Sequence, residues 1–82
     1  MDKLRNLGER SAGFLKSVGI ETVEQLRDVG PVFAFATVKR KHPRATLNLL
    51  WSIAGGLDDR DWRSLDASEK ESLLKELDEL LR

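Results

Sequence analysis

No cysteine occurs anywhere in the 82 residues, so neither a disulfide nor a thiolate metal site can supplement the core. The fold must stand on apolar packing alone, in a chain with room for one domain, residues 1–82, that buries only part of its unfolded surface. An apolar share of 40% beside a charged share of 34% suits a globular protein, and the near absence of β-branched runs argues against sheet. Met1-Asp2-Lys3-Leu4-Arg5 lacks the apolar run of a signal peptide, and no stretch approaches the roughly 18 uninterrupted apolar residues that span a bilayer. A soluble, cytoplasmic, all-α protein with no membrane contact is the expectation.

Local signals mark five helices. Leu4-Arg5-Asn6-Leu7-Gly8 reads as a turn into a helix over about Glu9 to Ser17, stopped by Gly19, with Ile20 packing the turn back. Thr22-Val23-Glu24-Gln25 is a capping box that opens a short second helix, which Gly30 ends. Pro31 suits the first position of a third helix, whose apolar side runs from Val32 to Val38. That helix finishes in Lys39-Arg40-Lys41, with Pro43 biasing His42 out of helical geometry. Thr46 is the expected cap of a fourth helix, apolar on nearly every side and so central, which Gly55-Gly56 should weaken or end. After an acidic crossing anchored by Trp62, Asp66-Ala67-Ser68-Glu69 opens a final helix striped by Leu73, Leu77 and Leu80. The expected architecture is a compact five-helix bundle, with a hairpin over about residues 4–30 and the remaining helices over about 31–82.

The spacing Leu4-x-x-Leu7-Gly8-x-x-Ser11-Ala12-x-x-Leu15, followed by Gly19-Ile20-x-Thr22-Val23-Glu24-x-Leu26, lets two short helices cross closely. It resembles the helix-hairpin-helix superfamily, and more specifically the carboxyl-terminal domain of the TfoX/Sxy competence regulators. The likeness continues through Pro43-Arg44-x-x-Leu47-Asn48-Leu49-Leu50-Trp51 to Gly55, Trp62 and Leu65, and so covers about residues 4 to 66. The resemblance implies a regulatory domain, attached in the usual architecture to an amino-terminal domain that these residues do not contain. It would contribute double-stranded DNA backbone contacts or a contact to a transcription-related protein.

A helix-hairpin-helix binds DNA by pointing amide hydrogens at a helix start toward phosphate, with glycine permitting close approach. Gly8, Arg10 and Ser11 occupy those positions, although Glu9 places a negative charge beside the phosphate and only one glycine stands where DNA-binding hairpins commonly have two. Lys39, Arg40, Lys41 and Arg44 are the supporting cations, with ordinary helix C-terminal charge as the alternative reading. Residues 1–44 carry nine Lys/Arg against five Asp/Glu, a net +4, and residues 45–82 carry the reverse. The zero total speaks against a strong nucleic-acid binder and for the competing class, a protein-interaction adaptor without DNA contact.

Other chemistry finds little support. His42 stands alone between Lys41 and Pro43 with no second metal ligand and reads as a surface residue. Asp58, Asp59 and Asp61 lack the glycine and terminal glutamate of an EF-hand loop. No nucleophile elbow or P-loop occurs, so no catalytic residue, metal or cofactor is expected. Trp51 sits in the most apolar helix and is assigned to the core rather than to base stacking.

Overall fold

The computed structural model of the chain describes residues 7–81. The expected turn from Leu4 through Asn6, and Arg82 at the end of the last helix, lie outside them. Five helices follow one another: α1 (Glu9–Lys16), α2 (Val23–Val29), α3 (Pro31–Lys41), α4 (Leu47–Leu57) and α5 (Ala67–Leu81), with a 3-10 turn at Trp62–Ser64 before α5. No strand occurs among the described residues.

Most helix boundaries fall where unpaired backbone groups find partners. Past α1 the Ile20 amide reaches back to the Leu15 carbonyl at 3.0 Å, while Gly19 takes φ of 85°, a conformation that costs a side-chain-bearing residue about 1–2 kcal/mol. At α2 the Thr22 hydroxyl accepts from the Gln25 amide at 3.1 Å, and the Gln25 side chain accepts from the Thr22 amide at 3.2 Å, closing the capping box. The carboxyl of Asp66 accepts from the Glu69 amide at 2.8 Å and opens α5 in the same way.

Two ends depart from expectation. Gly55 and Gly56 do not end α4; both are buried within it, and the helix runs on to Leu57. Asp59 provides the stop instead, at φ of 52°, as the Arg60 amide bonds back to the Gly55 carbonyl at 2.7 Å. Packing outweighs the low intrinsic propensity of glycine here, because the 3-10 turn lies against α4. Thr46 does stand at the start of α4, but its side chain caps nothing.

The core gathers Leu15 of α1, Leu26 of α2, Phe35 and Val38 of α3, Leu50, Trp51 and Ile53 of α4, and Leu77 of α5. Helix α3 is the common support: α1, α2, α4 and α5 all pack on it. Helices α1 and α2 both lean on α3, an arrangement consistent with the expected opening hairpin.

Candidate nucleic-acid interface

A groove of about 220 Å³ opens where α1 meets the start of α4. Helix α1 contributes Arg10, Ser11 and Phe14; the α3–α4 connection contributes Arg44, Ala45 and Thr46; the first turns of α4 contribute Asn48, Leu49 and Ser52. Two arginines, three hydroxyl residues and one amide residue line it, and among the described residues no carboxylate does. The Arg10 guanidinium lies 5.8 Å from the centre of the Phe14 ring, a cation–π contact that steadies it. Arg44 is exposed and makes no hydrogen bond or ion pair among the described residues.

Two helix N-termini flank the groove. Neither Gly8 before α1 nor Thr46 before α4 supplies a side-chain cap, so the first-turn amides at both ends lack a side-chain acceptor from the cap position. The partial positive charge of each N-terminus adds to that of the arginines. Together these groups suit an anion with several oxygen atoms, such as a phosphodiester.

Glu9, in the first turn of α1, lines a separate groove with Ala12, Gly13, Lys16 and Glu21 and is not among the residues that line the groove of Arg10 and Ser11. Gly8 is exposed, with extended backbone at φ of −90° and nothing within 4 Å of where a Cβ would stand. Neither conformation nor internal packing requires glycine at that position.

The other sequence-selected cations serve the fold. The Lys39 amine donates to the Pro43 carbonyl at 2.5 Å and to the Ala45 carbonyl at 2.8 Å, tying down the connection that carries Arg44. Lys41 donates to the Ser17 carbonyl past the end of α1 at 2.7 Å, and Arg40 reaches the Leu80 carbonyl near the end of α5 at 3.4 Å. The structure thus brings Arg10, Ser11 and Arg44 together and directs Lys39, Arg40 and Lys41 to backbone carbonyls. Asn48 and Ser52 were missed as groove residues. Their signal was available: they stand four apart as the polar positions in an otherwise apolar helix.

His42 is not a bare surface residue but half-buried, bonded to Ser17 and set against the Phe14 ring. The acidic crossing holds arginines: Asp58 and Glu69 pair with Arg60 at 3.3 and 2.5 Å, and Asp61 pairs with Arg63 at 3.0 Å. No group of three or more His, Cys, Asp or Glu suited to a metal occurs among the described residues. Trp51 is 7% exposed and belongs to the core, with the Lys70 amine 5.5 Å from its ring centre.

Residues 1–77 match the TfoX C-terminal domain. The chain belongs to that family. The DNA transformation protein TfoX of Haemophilus influenzae is 35% identical over 79 residues, covering 96% of this chain and 36% of the relative, so the chain spans about a third of that protein's length. Two solved structures from Listeria monocytogenes share the fold. One, a protein of unknown function in a tetragonal crystal form, superposes with a TM-score of 0.86 at 27% identity and covers all of both chains. The other, in a triclinic form, gives 0.85 at 28% identity over 95% of this chain and 89% of that one. No helix among the described residues of this TfoX C-terminal domain is long and apolar enough to cross a membrane.

Proposed function

We propose that this TfoX C-terminal domain is a non-enzymatic regulatory module of DNA transformation that acts in the cytoplasm by holding the phosphate backbone of duplex DNA. The observation that carries the reading is the groove, free of carboxylates among the described residues, in which Arg10 and Arg44 converge between two helix N-termini without side-chain caps. Ser11 adds a hydroxyl, and the open space about exposed Gly8 leaves room for a sugar-phosphate strand to approach the start of α1. Lys39, Arg40 and Lys41 add to the positive field while holding the scaffold. The name of the Haemophilus influenzae relative points to the same process.

Fluorescence anisotropy of a labelled duplex, titrated at several salt concentrations, tests the proposal. Affinity should fall steeply with salt, and Arg10→Ala and Arg44→Ala should each reduce the logarithmic slope by about 1. Gly8→Ala should leave the fold intact while weakening binding. The net charge of zero favours a second reading, a protein-interaction adaptor, and absence of duplex binding at low salt would establish it over the first.

A further inference from the structure

The helices present a second surface of opposite character. Phe33 is 50% exposed, Val29 39% and Leu80 38%, large apolar side chains that the core leaves in solvent. They form one face. A groove of about 320 Å³ bounded by Ile20, Asp28 and Thr37 shares Val29 and Phe33 with a second groove of about 350 Å³, bounded by Pro31, Glu76, Glu79 and Leu80.

The rim is uniformly acidic. Asp28 lines the first groove and Glu76 and Glu79 the second; among the described residues no lysine or arginine lines either, although the Arg40 guanidinium reaches the Leu80 carbonyl beside the second, and these three carboxylates form no hydrogen bond or ion pair. We propose that this face docks a basic amphipathic helix of a partner protein, its apolar side on Phe33, Val29 and Leu80 and its cations on Asp28, Glu76 and Glu79.

Charge selects the occupant. Nucleic acid is repelled by the carboxylates. A second copy docking through the same face is disfavoured, because a two-fold contact sets Asp28, Glu76 and Glu79 against their own counterparts, and the described cation beside them, Arg40, is already turned to the Leu80 carbonyl. The described residues offer no strand edge on which an extended peptide could add, whereas helix-in-groove recognition needs only apolar anchors at i, i+3, i+4 and i+7 with cations beside them.

The test titrates the 82-residue chain with two fluorescent helical probe peptides that share leucines at heptad spacing. One carries lysine at the flanking positions and the other glutamate. The lysine peptide is expected to bind at least about tenfold more tightly, and Phe33→Asp and the Glu76→Lys/Glu79→Lys pair should each weaken it by about tenfold or more. Glu79→Gln, the milder change, should weaken it less and in the same direction. Far-UV circular dichroism and thermal unfolding check that each variant is folded. Equal binding of the two peptides, or lysine-peptide binding indifferent to all of these variants, would overturn the proposal. So would sedimentation showing a dimer that Phe33→Asp dissolves, since the face would then belong to a second copy.

Discussion

His42 Nε2 lies 2.9 Å from Ser17 Oγ, and the single hydroxyl proton of Ser17 is already committed to the Phe14 carbonyl at 2.6 Å. Nε2 must therefore carry the hydrogen and donate to Ser17 Oγ. The imidazole also meets the Phe14 ring at 5.0 Å between centroids, tilted by 55°. The end of α3 is thereby fastened to the end of α1, next to the helix turn that holds Arg10.

Removing this fastening should be measurable. His42→Ala loses a hydrogen bond and a ring contact and should cost about 1–2 kcal/mol, and Ser17→Ala about 1 kcal/mol. Because both remove the same bond, the double variant should fall short of the sum by about 0.5–1 kcal/mol in urea unfolding. Strict additivity would show that the two side chains do not interact in solution.

Lys39 supports the loop rather than facing solvent. Lys39→Met leaves two carbonyls without their charged donor and should cost about 2 kcal/mol, whereas Arg44→Ala should change stability by no more than about 0.5 kcal/mol. Thermal unfolding of the two variants makes the comparison. Equal costs would mean that the Lys39 contacts with Pro43 and Ala45 contribute nothing.

Glu69 lies under the Arg60 guanidinium, whose hydrogen bonds hold its carboxyl below the ordinary value of 4.5, with the Asp66 amide adding to the effect. A carboxyl so lowered contributes stability that is present above the unfolded value and lost as pH falls through the folded one. The melting temperature should therefore drop on acidification below about pH 4.5. Glu69→Gln should lower it at neutral pH and narrow the gap to the parent chain in acid. A gap that stays constant with pH would remove Glu69 from the acid transition.

Helix boundaries were legible because their causes are local. Thr22 and Gln25, or Asp66 and Glu69, complete their contacts within four residues, and Gly30-Pro31 separates two helices with no help from elsewhere. Gly55-Gly56 marks the end of α4 only to within a residue or two, because burial, a tertiary property, keeps both glycines within the helix. The site divides the same way. Arg10 and Ser11 could be read from one motif and Arg44 from another, but their convergence depends on α1 meeting α4 across more than thirty residues. Lys41 looked like a free cation because its acceptor, the Ser17 carbonyl, is 24 positions away. His42 was missed for the same reason, its partner being 25 positions distant.

That four helices rest on α3 means that a fragment without it has no platform of its own. A peptide ending before Pro31 would hold the start of α1 but neither α3 beneath it nor the α4 turn that completes the groove. The juxtaposition of the two arginines should therefore resist transplantation as a short motif onto another scaffold, and it depends on the buried Phe35 and Val38 at the centre of the fold.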